Sequence, residues 1–245
     1  MAGLLSMFQR KNISPSVCSA VVVAAGSARR MEGIDKILTP LGELPVLVHT
    51  LYVFEDCPDI SEVIVVTRED LLVEVGNLCR QFGLNKVKKV VVGGKERINS
   101  VQNGLVEVRE DADIIAIHDG ARPLLPGKVL SEVLKKAQLT GAAAPALPIT
   151  DTVKRAEQGL AMETVDRNTL FAVQTPQVFE AALIRAATQK AIADGETLTD
   201  DCAAVERMGM KVSLTEGSKE NLKLTTPYDL IVAEAILEAR GRGVL

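Results

Sequence analysis

Short runs of β-branched and small apolar residues recur along the chain, and the stretches between them change to a helical spacing. SAVVVAA (19–25), EVIVVT (62–67), VKKVVV (87–92), DIIAIH (113–118), GAAAPALPI (141–149) and KVSLTE (211–216) have the length and composition of strands within a sheet. PVLVHTLYVFEDC, EDLLVEVGNLCRQF and RINSVQNGLVEVRE place apolar residues three and four apart, which predicts amphipathic helices. Pro45 suits the first turn of the first helix and Pro58 stops it, while Gly83 closes the second. A last helix, PYDLIVAEAILEAR, opens with Thr226 as N-cap and Pro227 at the first helical position. Strand, helix, strand at this spacing implies right-handed crossovers. The expected fold is therefore α/β: a three-layer, mostly parallel sheet with helices on both faces. No repeat, low-complexity tract or linker appears, so residues 1–245 read as a single domain with a loose N-terminal tail over 1–17.

The rhythm breaks once. Residues 150–168, TDTVKRAEQGLAMETVDRN, are polar and charged, with two short alternating runs around Gln158-Gly159. That pattern predicts a β-hairpin arm protruding from the sheet. A lone hairpin is marginal in water, so the arm is expected to pack on a partner.

Composition narrows the functional classes. The chain is 47% hydrophobic but only 3% aromatic, with no Trp, so its core is built from Val, Leu, Ile and Ala, and base stacking on aromatic platforms is disfavoured. A net charge of -4 gives no global field to recruit nucleic acid or an anionic membrane; any anion site must be local. Four scattered cysteines with no CxxC pair, and only two histidines, fit free thiols in a reducing cytoplasm better than disulfides or zinc. The leader's apolar run is too short for a signal peptide, and no later run approaches a membrane span.

Candidate chemistry collects at three predicted strand ends. After the first strand, AAGSARRMEGIDK carries Gly26, Arg29, Arg30 and Lys36. A dinucleotide fingerprint would need GxGxxG, but Ala28 stands at the second Gly position, and no acid closes the second strand; the P-loop pattern GxxxxGK[ST] is absent. What remains is a turn whose backbone N–H groups cradle an anion while Arg30 and Lys36 add full charges, which suits a triphosphate. After the third strand, GGKERINSV offers Gly93 and Gly94 for close backbone approach, with Arg97 and Ser100 opening a helix. After the fourth, HDGARP sets Asp119 and Arg122 around Gly120; Asp119 could take Mg²⁺ or a hydroxyl, and Arg122 an anion. His118 reads as a structural hydrogen-bonder and not as a base. In an open α/β sheet such loops converge on one crevice beyond the carboxyl ends of the strands.

These motifs, in order, carry a resemblance. AAGSARRM with Lys36, LGELPVLVHTL, GGKERINSV, HDGARP, DTVKRA, TVDRN, QTPQVF, TDD and NLKLTTPYDL resemble the motif set of the methylerythritol phosphate cytidylyltransferase family, from about Ser19 to Glu238. The chain departs from the usual pattern at Ala28, Asp35 and Lys95, none of which removes a group the family's chemistry uses. The resemblance implies a Rossmann-like nucleotidyltransferase fold and a cytoplasmic homodimer that exchanges arms. It also implies a reaction in which CTP and a sugar-alcohol phosphate give a cytidine diphosphate product and pyrophosphate, with Mg²⁺ held mainly by the CTP phosphates. It assigns Arg30, Lys36, Arg167 and Lys223 to catalysis, and Ala24, Ala25, Gly26, Gly94, Ser100 and Gly120 to CTP. The sugar phosphate falls to Asp119, Arg122, Thr152, Arg167, Thr199 and Lys223, with Thr152 and Arg167 arriving on the other subunit's arm. Thr199 also reads as the N-cap of the helix that follows. A ribitol phosphate cytidylyltransferase, whose opening turn tends to read AGG, shares fold and chemistry; an NAD-dependent dehydrogenase lacks support in the opening turn, and a non-catalytic nucleotide binder would not need every cation.

Overall fold

The computed structural model describes residues 16–26 and 36–244. Its elements begin with β1 (Cys18–Val23), a small ribbon of β2 (Pro40–Leu41) and β3 (Leu44–Pro45), and α1 (Val46–Asp56). Then follow β4 (Ile60–Thr67), α2 (Leu72–Gln81), β5 (Val87–Val92), α3 (Arg97–Glu107), β6 (Ile114–Asp119), α4 (Gly127–Thr140) and β7 (Ala142–Pro148). The arm is β8 (Val153–Glu157) and β9 (Leu160–Val165), after which come β10 (Phe171–Val173), β11 (Gln177–Glu180), α5 (Ala181–Ala193), α6 (Asp201–Arg207), β12 (Ser213–Glu216) and α7 (Pro227–Gly241).

The six predicted strands are all present as β1, β4, β5, β6, β7 and β12, and they run parallel. β1 lies inside the sheet, with Val21 opposite Ile64 of β4 on one side and Ile117 of β6 on the other. Only β10 and β11 run against the sheet: β11 bridges β6 and β7, and β10 continues along β7. These two strands, and helices α4 and α5, were not expected from the pattern, whereas α6 is the helix anticipated after Thr199. β10 and β11 are three and four residues long and separated by the polar turn Gln174–Pro176, too short to show a period.

Successive residues of each central strand face opposite cores, as a period of two requires. Ala20 and Val22 of β1, with Val63 and Val65 of β4, meet Leu47, Leu51, Val75 and Leu130 from α1, α2 and α4. Val21, Ile64 and Val66 meet Val101, Leu105, Ile184 and Val205 from α3, α5 and α6. The three-layer expectation holds. A third, smaller cluster seats Ala233 of α7 against Leu41, Leu124 and Leu224.

Element ends follow local chemistry. The Thr226 side chain and Asp229 form a capping box on α7 with Pro227 in its first turn, as expected. Pro45 sits at the N-cap of α1, one residue earlier than its sequence suggested. Gly83 adopts a φ of 64° just beyond α2. Ser16 and Val17, placed in the tail by the sequence pattern, are held: Gln138 Nε2 donates to Ser16 Oγ, and Val17 N to Asp113 Oδ2 at 2.9 Å. Residues 1–15 lie outside the described residues. All four cysteines are free thiols, and among the described residues no helix is long and apolar enough to cross a membrane.

The predicted arm is a hairpin turning at Gln158 (φ 49°) and Gly159 (φ 82°), positive at both positions as a tight two-residue connection needs. β8 and β9 pair with each other and with no strand of the main sheet.

Candidate active site

The carboxyl ends of β1, β5 and β6 open into one crevice of about 360 Å³. Among its walls are Ala24, Ala25 and Gly26 after β1, Gly94, Lys95, Glu96, Arg97 and Ser100 after β5, and Asp119 and Ala121 after β6, with Lys36 and Lys223 arriving from elsewhere in the chain. Parallel strands all expose the same end, so loops remote in sequence meet here as the spacing implied.

Small residues set how closely those loops approach. A Cβ on Gly93 would fall 2.4 Å from Ala25 Cβ, one on Gly94 2.3 Å from Asn99 Cβ, and one on Gly120 2.9 Å from Ala24 Cβ. The backbone continues the sheet just past its strand ends: Ala24 N donates to Val66 O, Gly93 N to Thr67 O and Gly120 N to Val23 O, at 2.7, 2.7 and 2.8 Å. Ser100 is buried and its hydroxyl shapes the loop, accepting from Gly94 N at 3.0 Å and donating to Glu96 O at 3.2 Å. Glu96 caps α3 in a reciprocal box with Asn99.

The charge of the crevice is organised about Asp119. Lys223 Nζ lies 2.9 Å from its Oδ2, Arg122 Nε 3.5 Å from the same oxygen, and Arg97 Nε 3.7 Å from Oδ1. Burial alone would raise this carboxyl's pKa, but Lys223, Arg97 and Arg122 outweigh it and hold the group below the usual carboxylate range. Asp119 is thus ionised at neutral pH. Arg97 also forks onto buried Asp201, with Nη1 donating to Oδ1 at 2.8 Å and Nη2 to Oδ2 at 2.7 Å. Burial would depress its pKa, yet Asp201 and then Asp119 keep it above the ordinary arginine value.

Behind Asp119 lies a closed hydrogen-bond circuit. His118 Nε2 is 3.3 Å from Arg122 O, an acceptor, so the ring carries its proton there and Nδ1 accepts from the Thr175 hydroxyl at 3.0 Å. The same Thr175 oxygen accepts from Asp119 N at 3.1 Å. Asn221 Nδ2 donates to Thr175 O at 2.8 Å, and Arg122 Nη1 to Asn221 O at 2.6 Å. Burial drives the His118 pKa down to about 4, so the ring is neutral at pH 7, a structural hydrogen-bonder as its sequence position suggested.

Of the residues singled out from sequence, Ala24, Ala25, Gly26, Lys36, Gly94, Ser100, Asp119 and Lys223 line the crevice, and Arg122 reaches it through Asp119. Gly120 packs behind Ala24. Arg30 lies outside the described residues, as do Ala28 and Asp35. Thr152 and Arg167 belong to the arm and are not in the crevice wall; Arg167 Nη1 donates to Thr150 O at 2.5 Å, tying the base of the arm. Thr199 is exposed and does not cap α6: Asp200 does, accepting from Ala203 N at 3.0 Å. The carboxylate outcompetes the hydroxyl because it sits one residue nearer the first turn. Asp201, Thr175 and Asn221 gained no role from the sequence, although each lies inside or beside a quoted motif, and Arg97 was placed only at the start of a helix that favours anions.

With Glu96 engaged in capping α3, Asp119 is the wall carboxylate that suits a cation taking most of its ligands from a substrate's phosphates, the usual arrangement for Mg²⁺. Among the described residues no group of three or more His, Cys, Asp and Glu side chains gathers to cage a metal.

Comparison with known proteins gives a consistent picture. Residues 18–239 match the family model described as 2-C-methyl-D-erythritol 4-phosphate cytidylyltransferase. A protein of that name from Caldanaerobacter subterraneus subsp. tengcongensis is 46% identical over 222 residues, 89% of this chain and 98% of its own. Another from Halalkalibacterium halodurans is 43% identical over 225 residues, 91% and 98% of the two chains. Among solved structures, 4-diphosphocytidyl-2C-methyl-D-erythritol synthase from Anaerococcus prevotii superposes with a TM-score of 0.81 at 27% identity, covering 91% of this chain and 97% of its own. The cytidylyltransferase from Thermus thermophilus gives 0.75 at 32% identity, covering 89% and 98%.

Proposed function

The chain belongs to the 2-C-methyl-D-erythritol 4-phosphate cytidylyltransferase family, and from that premise we propose how its crevice works. The chain is a nucleotidyltransferase that joins CTP to 2-C-methyl-D-erythritol 4-phosphate, giving 4-diphosphocytidyl-2-C-methyl-D-erythritol and pyrophosphate. The ribitol phosphate alternative is not favoured, because the relatives at 40–46% identity carry the methylerythritol phosphate name.

The substrate phosphate, a monoester with a second pKa of about 6, is largely dianionic at neutral pH and attacks the α-phosphorus of CTP without a general base. The barrier is charge repulsion and alignment, so positioning and electrostatics supply the catalysis. In this reading Arg30 and Lys36 stabilise the five-coordinate α-phosphate and the departing pyrophosphate. Ala24, Ala25, Gly26, Gly94, Ser100 and Gly120 receive cytosine and ribose, and in this reading their small side chains let the backbone approach the base edge and exclude a purine by size. Asp119, Arg122, Thr199 and Lys223 hold the sugar phosphate, and Thr152 and Arg167 reach it from the partner's arm. A divalent cation such as Mg²⁺ would be held mainly by the CTP phosphates and would neutralise charge on the leaving group. The chain then acts as a cytoplasmic homodimer of single nucleotidyltransferase domains, with no nucleic acid or membrane partner. The arm supports this: Leu160 and Met162 on β9 are 69% and 60% exposed, and among the described residues the hairpin pairs with no other strand.

The observation that carries the reading is the ring of Lys223, Arg97 and Arg122 around one ionised carboxylate, set beside a Gly-rich loop at the strand ends. Pyrophosphate release tests it. CTP with methylerythritol phosphate is expected to give the highest kcat/KM, with ATP and GTP strongly rejected by size and UTP less so, since C against U depends on a swapped donor and acceptor. Equal kcat/KM for ATP and CTP would remove the pyrimidine pocket, and equal use of ribitol phosphate would remove the assigned acceptor.

A further inference from the structure

The geometry points to Asp201 as a positioning residue for the acceptor half of the site: by holding the Arg97 fork it keeps Asp119 open to the sugar-alcohol phosphate. This rests on the reading of Asp119 as an acceptor-binding group. Two carboxylates face one guanidinium. Asp201, 4% exposed, takes both terminal nitrogens at 2.8 and 2.7 Å, while Asp119 Oδ1 stands off at 3.7 Å from Nε. A bidentate pair is the stronger contact by geometry and charge, so Arg97 is committed to Asp201. Lys223 and Arg122 lie at Oδ2 of Asp119, whereas Oδ1 has only the longer 3.7 Å contact with Arg97, which makes it the oxygen the proposal gives to a ligand.

Asp201 is itself held in place. Gln177 Oε1 accepts from Asp201 N at 2.9 Å and Cys202 N at 3.0 Å, and Gln177 Nε2 donates to Asp200 Oδ2 at 2.8 Å. The anchor therefore comes from β11, the antiparallel strand that also pairs with β6, whose last residue is Asp119. If the Asp201 charge is lost, Asp119 becomes the strongest carboxylate partner left to the guanidinium, ahead of Asp200, and only a small rotation separates 3.7 Å from a closed fork. Asp119 would then have both oxygens paired, and substrate hydroxyls would have to displace an arginine.

Steady-state kinetics on Asp201→Asn, Arg97→Gln, the double variant and Asp119→Asn test this, with Tm measured for each. Asp201→Asn is expected to raise KM for methylerythritol phosphate about tenfold while KM for CTP moves less than about twofold. Adding Arg97→Gln to Asp201→Asn is expected to bring the acceptor KM back down at least about threefold, because the competing fork is gone. A purely structural role would lower Tm and leave this split and this suppression unseen. A folded Asp201→Asn with unchanged acceptor KM, or a double variant worse than the single, would overturn the inference. Should Asp201→Asn fail to fold, Asp201→Ser, which removes the same charge at smaller volume, carries the same expectations. If Asp119→Asn itself leaves the acceptor KM unmoved, the reading of Asp119 falls; if it raises that KM and Asp201→Asn does not, only the role of Asp201 falls.

Discussion

His118 illustrates how residue-scale energetics separate structure from chemistry in this crevice. Its ring is edge-on to Phe54 at 5.2 Å and spends both nitrogens on Thr175 and Arg122, so it has no nitrogen left for a substrate. Its folded pKa of about 4 lies below the ordinary 6.5, which fixes the sign of its effect on stability. The preference for a neutral ring is fully present above pH 6.5 and is lost as pH falls towards 4, where the unfolded chain binds a proton that the folded chain refuses. This group alone should remove about 2 kcal/mol between about pH 7 and pH 5. Urea unfolding at the two pH values is expected to show that loss in the parent chain and a flatter profile in His118→Asn; equal losses in both would assign the pH dependence elsewhere. Asp119, with its pKa held down, contributes stability that persists at these values and disappears only in stronger acid. HDGARP already suggested an acid with an arginine neighbour, and that much was readable. Its other cations, Arg97 and Lys223, are 22 and 104 residues away, and no local pattern links them.

The elements that position the site are packed to a tolerance of less than one methyl group. α3 crosses β1 and β4 at Gly104, where an added Cβ would lie 2.5 Å from Val21 Cγ1 and 2.8 Å from Val66 Cγ2. Those valines are fully buried and β-branched, with little freedom to move aside. Gly104→Ala is therefore expected to destabilise by about 1–3 kcal/mol, lowering Tm by several degrees. It should also raise KM for CTP, because α3 carries Ser100 and Arg97 into the crevice. A neutral or raised Tm would mean that the helix can slide away from the sheet at no cost. Elements with long or strongly periodic patterns were legible: the six parallel strands, α1, α2, α3, α7 and the arm. β10 and β11 were not, because strands this short are specified by the open edges of β6 and β7 and not by their own residues. α5 draws its buried face largely from Ala181, Ala187 and Ala191, whose small side chains give a weak amphipathic signal.

At the scale of the whole molecule the proposed dimer makes a quantitative demand. If Arg167 acts across the interface, an Arg167→Ala chain and a Lys223→Ala chain, each nearly inactive alone, should regain activity on mixing. With free exchange about half the dimers are mixed and half of their sites are intact, so recovery should approach about a quarter of parental activity. No recovery, with exchange verified by mass-tagged chains, would place Arg167 at its own subunit's site and leave the hairpin as a clasp. Sequence alone determined the layered α/β plan, because alternation of period two and period 3.6 dictates which residues must be buried together. It also determined the arm, since a polar alternating stretch around Gln158-Gly159 has no apolar face to give the core, and the loops that meet at the crevice, since parallel strands deliver their following loops to one end of the sheet. Tertiary structure decided the electrostatics of the site. Which oxygen of Asp119 is paired, that Arg97 is held by Asp201, and that His118 is neutral all depend on separations of roughly three to four ångströms between residues far apart in the chain, where burial and charge compete at a range that composition and spacing do not encode.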